Sequence, residues 1–334
     1  MRQTRQRLFL RAGVYGVYVE QGKTASTKYG AKINGFVWHQ KDVNGMKLRY
    51  AYYPGCASKE MTREADKTTR AVASAFGIEL MDMPRANCCG AGLVGDFDPL
   101  LSLSLNARIF SEAERMGVDI LTICSTCLMI MRSANLKLKT DASLLNEVNE
   151  VLKEAGLTYR ATVEVTHLLN VLHKEVGAAE VAKHVKRPLN GLKVAPFYGC
   201  HTLRPSSALG HDDPEKPESL EDLIKAVGAE PVEYSGKTKC CGFQSDLVSP
   251  DTAIRMTATR LIDAKDSGAV CVVTPCPFCH INLDNYQSQA EKKAGRKINL
   301  PVFHLAQLIG ASLGLGAKDM GLERHLVNLE ELLY

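Results

Sequence analysis

Five cysteines occur twice along this chain at nearly the same spacing, and that duplication limits the fold more than any other feature. The first set is Cys56, Cys88, Cys89, Cys124 and Cys127, with 31, 0, 34 and 2 residues between successive members. The second is Cys200, Cys240, Cys241, Cys276 and Cys279, with gaps of 39, 0, 34 and 2. The flanks repeat as well. Tyr53-Pro54-Gly55-Cys56 is answered by Tyr198-Gly199-Cys200, and Cys88-Cys89-Gly90 by Cys240-Cys241-Gly242. Val165-Thr166-His167-Leu168 is answered by Val302-Phe303-His304-Leu305. Internal repetition on this scale means two similar units. We expect them at 46–185 and 190–320, joined by a Pro-Asn-Gly stretch at 186–191. A basic extension at 1–45 precedes them and a C-terminal tail at 321–334 follows.

Each unit alternates strand with helix. Leu48 to Tyr53, Ile78 to Met83 and Val118 to Ile123 are short apolar runs of strand type. Arg63 to Phe76 and Leu100 to Met116 have helical spacing and stop at Gly77 and Gly117. In the second unit Val194 to Tyr198 and Ala269 to Val273 predict strands, and Glu218 to Val227 and Ala253 to Lys265 helices. This order predicts an α/β fold: two tandem domains with parallel, Rossmann-like sheets, each with its own core. Sites in such sheets form where strands end. Cys56, Cys124, Cys200 and Cys276 each follow a predicted strand, and the doublets sit on Gly-containing loops before a helix. All five thiols of a set can thus meet on one rim.

Composition narrows the function. The chain has 334 residues, 45% hydrophobic and 23% charged, as in a soluble globular protein. No apolar run approaches the roughly 18 residues that span a bilayer. Residues 1–45 carry eight Lys/Arg and two acids, a local charge of +6, so the remainder stands at −2 although the whole chain is +4. The repeats therefore have no basic footprint for nucleic acid. The basic extension could be a transit peptide. The plainer reading is a solvated, disordered extension, or a start upstream of a true first residue at Met46.

Eleven cysteines in a chain this large, without a secretory leader, point to metal or redox use rather than disulfides. Thiolates select zinc, Cu(I) or iron–sulfur clusters. Zinc and the cubane cluster both take four ligands, whereas each set offers five, including an adjacent pair. The fifth thiol points to an unusual cluster with more than one open face. Gly90, Ala91 and Gly92 would let backbone N–H groups approach cluster sulfurs. The metal ligands expected are Cys56, Cys88, Cys89, Cys124 and Cys127, then Cys200, Cys240, Cys241, Cys276 and Cys279. Cys271 reads as a core residue within a strand, and His167 and His304 as structural residues at strand-to-helix turns. His201 is a candidate for catalysis, because Ala57 stands at the equivalent place in the first unit.

At these residues the chain resembles the B-type subunit of heterodisulfide reductase and its relatives, whose mark is a duplicated cysteine-rich CCG domain. The likeness covers about residues 46–316 and extends to Tyr198-Gly199-Cys200-His201-Thr202-Leu203-Arg204-Pro205 and Cys276-Pro277-Phe278-Cys279-His280. It implies two noncubane [4Fe-4S] clusters and oxidoreductase chemistry on disulfides or thiols. It also implies a cytoplasmic complex with a flavoprotein A-type subunit and a ferredoxin-like C-type subunit. The substrate it implies is a disulfide, a thiol or lipoate-bound sulfur. The second doublet departs from the pattern in Phe243 and Gln244, which would reshape that pocket. Two other readings stand beside this one: an electron-transfer subunit of a succinate/fumarate-type or 2-hydroxy-acid dehydrogenase complex, and a structural zinc assembly module.

Overall fold

The computed structural model describes residues 48–333, together with a short antiparallel ribbon of Lys32–Ile33 against Phe36–Val37. The expectation of disorder across 1–45 otherwise lies outside the described residues.

Two four-stranded sheets make up the framework. The first contains β1 (Arg49–Tyr53), β2 (Glu79–Asp82), β3 (Asp119–Thr122) and β4 (Val165–His167), ordered β2-β1-β3-β4. The second contains β5 (Lys193–Pro196), β6 (Glu230–Pro231), β7 (Cys271–Thr274) and β8 (Val302–His304), ordered β6-β5-β7-β8. All pairings within both sheets are parallel, with Ala51 opposite Ile120 in one and Ala195 opposite Val272 in the other. The inner strands β3 and β7 are buried at every residue, as parallel strands covered on both faces must be. At the edge, β6 tolerates Pro231 because no further strand needs its N–H.

The strand order reverses between β1 and β3, and between β5 and β7. Connections leave these neighbouring strands in opposite directions, which opens a crevice at their carboxyl ends. Cys56 and Cys124 follow β1 and β3, and Cys200 and Cys276 follow β5 and β7, so both crevices are lined with thiols.

The helices form as the local chemistry predicts. Pro99–Met116 starts with Asp98 accepting from the Leu101 N–H at 2.9 Å, has proline in its first turn and ends at Gly117 with φ +71°. Arg63–Ala75 ends where Gly77 takes φ +67° and the Ile78 N–H returns to the Ala73 carbonyl at 2.8 Å. Two helices that the sequence reading does not contain, Ser125–Thr140 and Ala142–Lys153, fill the connection from β3 to β4.

The expectation of a separate core for each unit is corrected. Each buried apolar cluster draws on both repeats: Tyr50, Val72 and Leu121 pack in the same cluster as Phe303, Leu305 and Ile309. The cause is the helix Leu305–Ser312. All eight of its residues are buried, so no face of it is turned to solvent. It lies along Arg63–Ala75 of the first repeat, where a Cβ on Gly310 would stand 3.1 Å from Thr68 Cγ2. The C-terminal segment then crosses the same helix. Arg324 Nε donates to Glu64 Oε2 at 2.7 Å, and Lys67 Nζ to the Lys318 carbonyl at 2.9 Å.

Candidate metal centre

The ten cysteines of the two sets form one string. Cys56 Sγ lies 3.9 Å from Cys88 Sγ, and Cys89 Sγ 3.5 Å from Cys127 Sγ. Electrostatic interaction between thiols links Cys127 to Cys124, and Cys124 across the repeat boundary to Cys276. From there the string runs through Cys279 and Cys241 to Cys240 and Cys200. Its centre, Cys124 and Cys276, is buried. Its ends differ: Cys56 and Cys88 are exposed, while Cys200 and Cys240 are half-buried. All ten expected ligands are thus brought together in two adjoining groups. Cys271 is buried inside β7, where burial alone raises its thiol pKa.

The local backbone makes room for the sulfurs. Gly55 takes φ +82° and ψ +162°, a region open essentially to glycine, and a Cβ there would lie 3.1 Å from Cys127 Sγ. Gly199, its repeat partner, has φ +68° and would bring a Cβ 3.0 Å from Cys279 Sγ. Backbone N–H groups point at the doublets: Gly90 N to Cys88 Sγ at 3.4 Å, Gly242 N to Cys240 Sγ at 3.3 Å and Phe243 N to Cys241 Sγ at 3.5 Å.

The electrostatics are those of a site built for cations. The outer doublet thiols are held as thiolates. Hydrogen bonds from Cys56, then Cys89, pull Cys88 down to about 2, and those from Cys200, then Cys241, do the same for Cys240. Their neighbours are pushed the other way. Hydrogen bonding to Cys88, together with burial, raises Cys56, and Cys127 is raised by its bonds to Cys124 and Cys89. In the middle, burial raises Cys276, but hydrogen bonds from Cys124 and Cys279 more than offset it and leave it well below the usual thiol range. Ten thiols cannot all ionise at this spacing without positive charge among them. The donor set, the N–H groups and the glycine cradles therefore fit iron–sulfur clusters.

Beside the second set lies a pocket of about 310 Å³, open mouth included, lined by Cys200, His201, Cys240, Cys276, Phe243 and Phe278 among others. Phe243 stacks on Phe278 with ring centroids 4.0 Å apart. The first repeat completes the wall with Ser125 and Thr126. Thr202 Oγ1 donates to Ser125 Oγ at 2.7 Å, and Thr126 Oγ1 lies 3.1 Å from His201 Nδ1. Burial lowers the His201 pKa. Gln244 Nε2 reaches the Ala91 carbonyl at 3.3 Å, so the second doublet loop braces the first. Sequence alone singles out His201, Phe243 and Gln244. It misses Thr126, which carries no local signal, and the glycine before each first cysteine, although Gly55 and Gly199 recur visibly in the repeat.

His167 and His304 begin the helices that follow β4 and β8. Their Nδ1 atoms accept from the N–H groups of Leu169 and Ala306, at 3.0 Å and 3.3 Å. Burial lowers both to about 4, so both are neutral near pH 7. One further group, His280, Asp284 and His325, has ligand atoms close enough to suggest a cation site. Its hydrogen bonds exclude one. Gln307 Oε1 accepts from the His304 N–H at 2.9 Å and its Nε2 donates to the Met320 carbonyl at 3.0 Å, which fixes the amide. Gln307 Nε2 must then donate to His325 Nε2, 2.8 Å away. The His325 proton is therefore on Nδ1 and is given to His280 Nε2 at 3.2 Å, leaving no lone pair there for an ion.

Known proteins share this arrangement. The family model for the CCG cysteine-rich domain matches twice, at residues 50–132 and 194–284. The chain is 40% identical over 287 residues to the 8-methylmenaquinol:fumarate reductase membrane anchor subunit of Wolinella succinogenes, covering 86% of this chain and all of that one. It is 34% identical over 288 residues to the B-type subunit of the ferredoxin/F420H2-dependent CoB-CoM heterodisulfide reductase of Methanosarcina acetivorans, covering 85% and 96%. Among solved structures, a hypothetical protein from Helicobacter pylori superposes with a TM-score of 0.70 at 17% identity, over 85% of this chain and 54% of that one. This last likeness bears on the fold alone.

Proposed function

The chain belongs to the family of paired CCG cysteine-rich domains that includes the B-type subunit of heterodisulfide reductase, and from that premise we propose that it is the iron–sulfur subunit of an oxidoreductase complex acting on disulfide or thiol sulfur. The family implies iron–sulfur clusters. We assign one noncubane [4Fe-4S] cluster to Cys56, Cys88, Cys89, Cys124 and Cys127, and a second to Cys200, Cys240, Cys241, Cys276 and Cys279. The observation that carries the reading is the continuous string of ten thiols, closed by glycine cradles and backbone N–H donors at two strand-order reversals.

When bound, the clusters supply one-electron transfer and iron sites at which a substrate sulfur can bind. The chain supplies the rest. Phe243 and Phe278 give the pocket an apolar wall that excludes water and packs against a substrate's carbon chain. His201, held by Thr126 and beside Cys200, is placed to donate a hydrogen bond to a departing thiolate. The exposed edge at Cys56 and Cys88 is where a partner's redox centre would approach. The partners we assign are a flavoprotein A-type and a ferredoxin-like C-type subunit, in the cytoplasm. Among the described residues no helix is long and apolar enough to cross a membrane.

A second reading is favoured by the Wolinella relative, which is matched over its whole length: an electron relay in a quinol-linked fumarate reductase. One experiment separates the two. The anaerobically purified chain is assayed for iron and sulfide, then for oxidation of a reduced viologen by a mixed thiol disulfide. Brown protein that turns over the disulfide supports the first reading. Brown protein inert to disulfides but reduced by a quinol with its partners supports the relay, and colourless zinc protein refutes both.

A further inference from the structure

A duplicated ligand set suggests two separate sites, one for each repeat. Here their innermost members adjoin: His304 Nε2 of the second repeat lies 3.3 Å from the carbonyl of Ile123, beside Cys124. Thr202 Oγ1 donates to Ser125 Oγ at 2.7 Å and Thr126 Oγ1 lies 3.1 Å from His201 Nδ1, and the thiols of Cys124 and Cys276 perturb one another across the boundary. Within each repeat a threonine two residues upstream anchors the same cysteine. Thr122 Oγ1 accepts from Cys124 N at 3.2 Å, and Thr274 Oγ1 from Cys276 N at 3.4 Å.

Across the repeats the anchor is histidine. His304 Nδ1 accepts from Ala306 N, so its proton is on Nε2. That proton is given to the carbonyl of Ile123, 3.3 Å away and 181 positions earlier in the chain. Ile123 immediately precedes Cys124. His167 has the same tautomer and presents its Nε2 towards the carbonyls of Ile123 and Pro275, at a geometry looser than an ordinary hydrogen bond. Pro275 immediately precedes Cys276. The repeated histidines thus sit where the two innermost cysteines are held against each other.

We propose that the two cluster sites form one electronically coupled unit, bridged by Cys124 and Cys276, with His304 as the positioning residue that keeps the bridge closed and His167 as its weaker counterpart. The proposal rests on the assignment of a cluster to each set. Electronic exchange between metal centres falls steeply with the length of the path between them, and the adjoining ligand sulfurs of Cys124 and Cys276 give the shortest path between the two sets. An unpaired electron on one cluster is then felt by the other.

Two substitutions at one position separate this role from simple helix capping. Asparagine places a polar atom where Nδ1 stands and glutamine where Nε2 stands. His304→Asn keeps the cap on Ala306 N, since asparagine is a good cap, but loses the donor to Ile123. His304→Gln keeps the donor and loses the cap. The full-length, cluster-loaded chain is reduced with titanium(III) citrate under argon and followed by electron paramagnetic resonance, with iron, sulfide and thermal melting measured on each variant. The wild type should give split or broadened signals that integrate below one spin per cluster. His304→Asn should give two narrower, separately relaxing signals that integrate higher, and His304→Gln should keep the wild-type spectrum. If His304→Asn fails to hold iron, His167→Asn is read instead, with a smaller change in the same direction expected. Independent signals in the wild type at full iron content would overturn the coupling alone. A changed spectrum in His304→Gln with none in His304→Asn would reduce the histidine to a cap. Absence of iron and sulfide would overturn the cluster assignment and this inference with it.

Discussion

Gly55→Ala is the perturbation whose cost the structure specifies best. Gly55 combines φ +82° with ψ +162°, and placing an L-residue there costs on the order of 1–3 kcal/mol in backbone strain. The added methyl carbon would also stand 3.1 Å from Cys127 Sγ and 3.6 Å from Cys124 Cβ. That sulfur cannot retreat freely, because Cys89 Sγ lies 3.5 Å from it. A ligand displaced by even about 0.5 Å leaves the tolerance of a preorganised metal site. Gly77→Ala is the control. It has φ +67°, also left-handed, but nothing lies within 4 Å of its added carbon, so it costs about 1 kcal/mol of strain and touches no cysteine. Gly55→Ala should lower the melting temperature by about 3 °C for roughly 2 kcal/mol in a body of this size, and iron in the first set should fall. Gly77→Ala should melt slightly earlier with iron unchanged. The assays are anaerobic thermal melting and iron and sulfide per chain. Full iron in Gly55→Ala, or equal loss of iron in both variants, would refute the argument that a glycine cradle shapes the ligand set.

Other outcomes follow from the same geometry. Cys89→Ala and Cys241→Ala should each retain some iron but change the paramagnetic resonance signal and reduce turnover steeply; full turnover in either would remove that half from the chemistry. Cys271→Ala should keep all iron and cost only about 1 kcal/mol in denaturant unfolding; iron loss would show that this cysteine is a ligand after all. Burial pushes the Asp119 carboxyl up to about 7, against a hydrogen bond from the Glu164 N–H that works to lower it. Below about pH 4 both folded and unfolded states hold this proton. Between about 4 and 7 only the folded state does, so stability declines with rising pH by up to about 4 kcal/mol and is then level. Relative to wild type, Asp119→Asn should therefore gain stability between pH 5 and pH 8 in denaturant melts, and a pH-independent difference would show that Asp119 ionises normally.

Much of the site was legible in the sequence because its determinants are local. Apolar runs ending at cysteines, glycines that stop helices and a 34-residue gap written twice place each set on one rim. That reasoning needs only the contacts within a strand–loop–helix unit, where spacing along the chain limits spacing in space. The elements predicted from those runs agree with the observed ones to within a few residues, as β1 and the helix Pro99–Met116 show. His201 stood out for the same reason, as a departure from a local repeat.

What only the tertiary structure decided is how the two repeats meet. The sequence supports two similar units equally well whether they pack apart or share a core. The choice depends on the wholly buried helix Leu305–Ser312, whose apolar surface is satisfied by Arg63–Ala75 of the other repeat. That packing brings Cys124 to Cys276, His304 to Ile123 and Arg324 to Glu64, the last pair 260 residues apart. Such contacts follow from the fit of two surfaces, and no spacing in the chain encodes them. By itself the sequence determined that there are two five-thiol sets and where in its own repeat each one forms. The fold determined that the sets adjoin, because burying the faces left apolar by each repeat turns the two crevices together.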